Sequence, residues 1–173
     1  MPNLKQKVDD KSTRRKRNAV PPKACNCRQP AHSRLDGNCL KSAVIYQATV
    51  TTDDNRPAET YVDLTEKNSF KTRYANHKSS FRDPNKRLST ELSKHIWHLK
   101  DAKIEYIVTW KILNQAAPFN PAFNSCNLCL WEKYFTICRP DLANLNKRNE
   151  LVTSCRHARK LLLSSFTSSV VTQ

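Results

Sequence analysis

Glycine is nearly absent from this chain: Gly37 is the only one in 173 residues. Phosphate-cradling loops of the Walker or dinucleotide type need several glycines in fixed order, so both are excluded. Acidic residues are also scarce, 15 against 30 lysines and arginines, which gives a formal charge of +15. No apolar run approaches the ~20 residues of a transmembrane helix, and the N-terminus has no hydrophobic core of a secretory signal. Any phosphate chemistry must therefore rest on side chains and metal. No membrane partner is expected.

The basic excess is not confined to a tail. Residues 1–23 carry eight lysines and arginines against two aspartates, which leaves +9 on the remainder. A basic folded domain points first to nucleic acid, because phosphate contacts release condensed counterions. A solvated basic surface is the plainer alternative. Residues 1–23 read as a disordered basic linker ending at Pro21-Pro22, and KSTRRKR (11–17) reads as a nuclear localisation signal or a nucleic-acid arm. Nuclear localisation is the expectation. Seven cysteines without a secretory signal favour metal ligation over disulfides.

Residues 24–40 are cysteine-rich and irregular. SAVIYQATV (42–50) is β-branched and aromatic and reads as a strand. TTDDNRPAE forms a turn, and TYVDL (60–64) a second strand. Phe70, Tyr74 and His77 recur at helical spacing over 69–81. A second amphipathic helix spans 90–100, with Thr90 as N-cap and Leu92, Ile96 and Leu99 on one stripe. IEYIVTWKIL (104–113) is a third strand, and CNLCLWEKYFTIC (126–138) reads as a buried helix. The order strand, strand, helix, helix, strand, helix predicts a small α+β domain: a three-stranded antiparallel sheet flanked by helices. It spans 41–163, after the Cys-rich segment 24–40 and before a flexible tail, 164–173.

Tyr46, Tyr61, Arg73, His77 and Glu132 form a constellation suited to phosphodiester hydrolysis. Arg73 and His77, at i and i+4, share one helix face. A carboxylate holds a divalent cation, arginine pairs with phosphate oxygens, and tyrosine or histidine orients or deprotonates water. Each residue alone has a plainer reading: cross-strand packing for the tyrosines, a solvated face for Arg73, a satisfied histidine, and an ion pair for Glu132.

Taken as an ordered series, VIY (44–46), YVDLTE (61–66), FKTRYANHKSSF (70–81), TELSKHIW (90–97), CNLCLWEK (126–133), LNKRNEL (145–151) and SCRH (154–157) resemble the GIY-YIG nucleases. Within that superfamily they more closely resemble the endonuclease domain of Penelope-like retroelements, over about residues 25–160. The resemblance implies a metal-dependent DNA endonuclease that nicks one strand. It implies that Tyr46 and Tyr61 lie near the attacking water and that Arg73 contacts the scissile phosphate. Glu132 would bind a single Mg²⁺ or Mn²⁺, with His77 and Asn146 supporting the site. DNA is the implied partner, and a reverse transcriptase region in the same parent polyprotein a further one.

Two positions depart from the family pattern. Val44 stands in place of a glycine that similar retroelement domains also lack. Asp63 stands where the second motif ends in Gly. A glycine there permits close approach or positive φ, and Asp tolerates positive φ better than most residues. Its carboxylate would repel DNA or capture the cation. The expectation is therefore either an endonuclease compromised by Asp63 or a catalytically inactive, zinc-containing DNA-binding module.

The cysteines suit structural Zn²⁺. Cys126 and Cys129, with Cys155 and His157, make one tetrahedral set. Cys25, Cys27, His32 and Cys39 make a candidate second; similar family sequences carry another cysteine at the position of Ser33, so this site has either lost a ligand or recruited His32. A site mixing the two groups is the alternative. Cys138 is expected in the core.

Overall fold

A computed structural model describes residues 24–28, 33–54, 56–117 and 126–147, together with the backbone of 154–155 and 160–161. Strand β1 (Val44–Thr52) is central, flanked by β2 (Glu59–Thr65) and β3 (Tyr106–Gln115), and both pairings are antiparallel. Helix α1 (Phe70–Ser80) follows β2, α2 (Glu91–Asp101) precedes β3, and α3 (Asn127–Cys138) comes last. A two-residue antiparallel ladder pairs β4 (Ser154–Cys155) with β5 (Lys160–Leu161). The expected α+β architecture is present, with element ends within two residues or so of the sequence-based bounds.

The sheet is covered on both sides, and the pleat sorts β1 between them. Tyr46, Ala48 and Val50 face a cluster with Phe70, Leu92, Ile96, Leu99 and Trp110. Ile45 faces the opposite way, with Val62, Cys126, Leu128, Cys129 and Phe135. A strand buried on both faces reads as a continuous apolar run, which is why 42–50 lacks clean alternation.

Local sequence explains the helix ends. The Thr90 hydroxyl accepts from Ser93 N–H at 3.0 Å and caps α2. Ser69 precedes α1 without a side-chain cap. The first amides of α1 instead donate to the cysteine segment, Phe70 N–H to Lys41 C=O at 2.9 Å and Lys71 N–H to Cys39 C=O at 2.8 Å. Orphan donors at this helix start are thereby satisfied, and the cysteine segment is tied to the helix that carries Arg73 and His77.

Helix α3 departs from expectation. It carries apolar residues on more than one side, yet it buries only Leu128, Cys129 and Phe135, while Leu130, Trp131, Tyr134 and Ile137 are exposed. A helix lying on one sheet face can bury one stripe only. Cys138 is exposed at its C-terminal end and so is not a core residue.

Strand β2 is a sheet edge, and its outer side is covered by the segment after α3. Asn144 Oδ1 accepts from Thr60 N–H at 2.6 Å, and Leu145 N–H donates to Thr60 C=O at 2.9 Å. The Asn146 amide clamps Val62, accepting from its N–H and donating to its C=O, both at 2.8 Å. The open edge is thus hydrogen-bonded rather than exposed for pairing with another chain.

Candidate active site

Tyr46 and Asp63 are directly opposite across the β1–β2 ladder. Tyr61 precedes Asp63 by two residues and shares its face. The pairing of β1 with β3 shifts register between Ile45 and Tyr46, so a bulge lies beside the tyrosine. Bulges re-aim side chains and are frequent next to active sites. Helix α1 brings Arg73 and His77 over the same patch.

These side chains meet on one atom. Oδ2 of Asp63 accepts from Tyr46 Oη at 3.0 Å, from Tyr61 Oη at 3.4 Å and from Arg73 Nε at 3.1 Å. Arg73 Nη2 donates to the same oxygen, which completes a guanidinium fork. Asp63 Oδ1 accepts from Leu64 N–H at 2.7 Å. His77 Nε2 lies 2.8 Å from Tyr46 Oη and 4.0 Å from Asp63 Oδ2. With the Tyr46 hydroxyl donating to Asp63, that contact requires His77 to donate from Nε2–H.

Burial and charge set the protonation states. Burial, and then the Asp63 carboxylate, push the Tyr46 hydroxyl well above its usual value, so it remains a phenol. Burial lowers His77 to about 4, with the Arg73 charge adding to it and Asp63 opposing. Burial opposes the charge of Arg73, but the pull of Asp63 and Tyr46 more than offsets it and raises its pKa. The state is an ion pair, buried at Asp63 and partly exposed at Arg73, with neutral hydroxyl and imidazole partners.

A hollow of about 350 Å³ opens beside the network, lined by Tyr61, Asp63, Arg73, Glu132 and Asn146. Lys94, Lys133 and Lys147 lie on its walls, and so does Glu91, which pairs with Lys94 at 2.7 Å and Lys147 at 3.1 Å. A second hollow of about 270 Å³ includes His77 and shares Arg73, Ser89 and Thr90 with the first. Tyr46 lines neither; it is fully buried beneath Asp63 and Arg73.

Every residue of the constellation expected from sequence is thus brought to one region: Tyr46, Tyr61, Arg73 and His77 by direct contact, Glu132 and Asn146 on the wall of the same hollow. The role expected for Asp63 changes. Its backbone is ordinary strand, with no positive φ, so that requirement for glycine does not arise. The residue is buried and its carboxylate engaged by Arg73, which fits neither a repelling surface charge nor a cation ligand. Sequence reasoning missed Asp63 as the centre of the network. The available signal was the cross-strand position opposite Tyr46.

The second constellation is cysteine. The Sγ atoms of Cys25, Cys27 and Cys39 lie within 4.8 Å of one another, with Cys27 and Cys39 3.7 Å apart. Ser33 Oγ is 2.9 Å from Cys39 Sγ and 3.9 Å from Cys25 Sγ, so it stands at the remaining corner. The Cys27 amide, donated to Cys25 Sγ at 3.3 Å, is the chief cause that lowers the Cys25 thiol to about 7. Hydrogen bonding to Cys25 and Cys39 raises Cys27 to about 11. Three converging soft donors could hold a metal ion such as zinc. Among the described residues this is the one such cluster.

His32 and His157 lie outside the described residues, as do the side chain of Cys155, the basic segment 1–23 and the tail 164–173. Cys126 and Cys129 are buried against the sheet, in the cluster around Ile45 and Val62. No helix among the described residues is long and apolar enough to cross a membrane. Comparison with known proteins found no matching family model, no matching curated protein and no matching solved structure.

Proposed function

We propose that this chain carries a phosphodiester-hydrolysing site of the GIY-YIG type, of the kind found in the endonuclease domain of Penelope-like retroelements, and that its substrate is DNA. One observation carries the reading: hydroxyl, guanidinium and imidazole groups from three separate elements converge around a single oxygen, beside a hollow walled by Glu132 and three lysines. Arginine with two phenols is a donor set for a phosphate, and a buried neutral histidine can exchange a proton with the phenol it touches. Glu132 would hold one Mg²⁺ or Mn²⁺. A single glutamate ligand suffices for a hard cation that keeps most of its waters. Such an ion supplies charge stabilisation at the phosphate. In this reading Asn146 positions the site by fixing Val62, between the two residues Tyr61 and Asp63. The basic surface binds the DNA backbone, and a reverse transcriptase region of a parent polyprotein and a nuclear location go with it.

A second reading, an inactive DNA-binding module stabilised by zinc, is favoured by Asp63, which already satisfies the donors a phosphate would need. Plasmid nicking with Mg²⁺ or Mn²⁺ separates the two. The comparison uses the natural chain and Asp63→Gly, each with and without Glu132→Ala. Nicking that Glu132→Ala abolishes supports the endonuclease. Salt-dependent DNA binding with no nicking by any form supports the module. Absence of both overturns the nucleic-acid reading altogether.

A further inference from the structure

Asp63 Oδ2 receives four donors, from Tyr46, Tyr61 and both Nε and Nη2 of Arg73. A lone carboxylate oxygen at the focus of two phenols and a guanidinium has the environment of a bound phosphate oxygen. We infer that Asp63 is an internal stand-in for the substrate phosphate: its Oδ2 fills the anion position these residues would offer to a phosphodiester, and holds the natural chain self-liganded. The inference rests on the phosphodiester reading above and specifies how that site is held shut.

Three further features support it. The carboxylate is locked rather than swinging, because Oδ1 is held by Leu64 N–H at 2.7 Å and the side chain is 5% exposed. It stands between the hollow and Tyr46, so a ligand in the hollow reaches the Tyr61 and Arg73 rim while Tyr46 remains covered. And the extended backbone at Asp63 accepts other residues without strain, so removing the side chain leaves the donors in place around a vacated position. The donors would then face the lysine-lined hollow without the Asp63 carboxylate. Nucleic acid bound by the natural chain would contact Lys94, Lys133 and Lys147 without engaging Tyr46.

Titration with inorganic phosphate, followed by NMR at the Arg73 Nε–H and the His77 ring, tests this directly. The forms compared are the natural chain, Asp63→Gly, Asp63→Asn and Asp63→Gly/Arg73→Gln. Asp63→Gly is expected to bind phosphate at least about tenfold more tightly than the natural chain, a difference of ~1.4 kcal/mol. The gain should vanish in the double variant. Asp63→Asn preserves the shape and removes the charge, so it should gain less; it carries the test should the glycine variant not fold. Equal phosphate affinity in natural and variant chains, or a gain that survives loss of Arg73, overturns the inference. Nicking by the natural chain at the rate of Asp63→Gly overturns it too, while leaving the endonuclease reading intact. Arg73-dependent phosphate binding without nicking by any variant has the opposite meaning: the stand-in is upheld and the endonuclease reading fails.

Discussion

The two faces of the sheet solve the problem of burial differently. Under α3, Ile45, Val62, Leu128 and Phe135 form an apolar cluster with two cysteines, beside a buried Gln47 that donates to Leu142 C=O. Under α1 and α2, the aliphatic stripe of Leu92, Ile96 and Leu99 adjoins a partly buried ion pair, a phenol and an imidazole. Apolar packing loses stability in proportion to the atoms removed and the cavity left. A polar network behaves asymmetrically: deleting one member leaves the others buried without partners, while deleting a matched pair can be nearly neutral. Stability and chemistry are therefore separable on the α3 face and coupled on the α1 face.

Paired substitutions break that comparison most sharply. Leu128→Ala should cost about 3 kcal/mol or more by denaturant melting, with no single second-site change restoring it. Arg73→Ala should cost about 3 kcal/mol, the low end for a buried pair because the Arg73 side chain is 35% exposed. Here Asp63→Asn in the same chain should recover most of the loss. If the double variant is as unstable as the sum of the singles, the α1 face is not a coupled network.

Acid sharpens the contrast at smaller amplitude. His77 is depressed from 6.5 to about 4 by burial, so the unfolded chain takes up a proton before the folded one. Its contribution is fully present above pH ~6.5 and is lost as pH falls toward 4, by at most about 3 kcal/mol. His77→Gln should flatten that part of the stability profile, whereas Leu128→Ala should shift the profile down without changing its slope.

The smallest effect concerns the cysteine segment, which is tied to the start of α1. Ser33→Cys should raise zinc affinity and give a four-thiolate Co²⁺ absorption spectrum in place of a three-thiolate one. Chelation should then increase amide exchange at Phe70 and Lys71, the helix start bound to Cys39 and Lys41, and leave α3 unchanged. Equal loosening of α3 would place the metal elsewhere.

Much of the fold was legible because local chemistry and tertiary packing agree. Leu92, Ile96 and Leu99 recur at helical spacing and are buried as that spacing requires, and Thr90 caps as its hydroxyl allows. The misjudged parts have physical causes. An apolar segment such as 126–138 does not say how much of it a single sheet face can cover. Cys138 is apolar enough for a core, yet it lies past the buried stripe of α3.

The candidate residues were legible as residue types in an ordered series. Their convergence was not, because Tyr46 and Asp63 are 17 positions apart in sequence and are opposed only through ladder register. Sequence alone determined the element order, the basic charge, the lack of glycine loops and the stock of hydroxyl, guanidinium, imidazole and thiol groups. Tertiary structure alone decided that Asp63 joins Arg73 and the tyrosines on one oxygen. It also put Ser33 at the fourth corner of three thiols. Pairing register and helix docking bring distant side chains within hydrogen-bonding reach, and no local pattern in the chain encodes a distance of that kind.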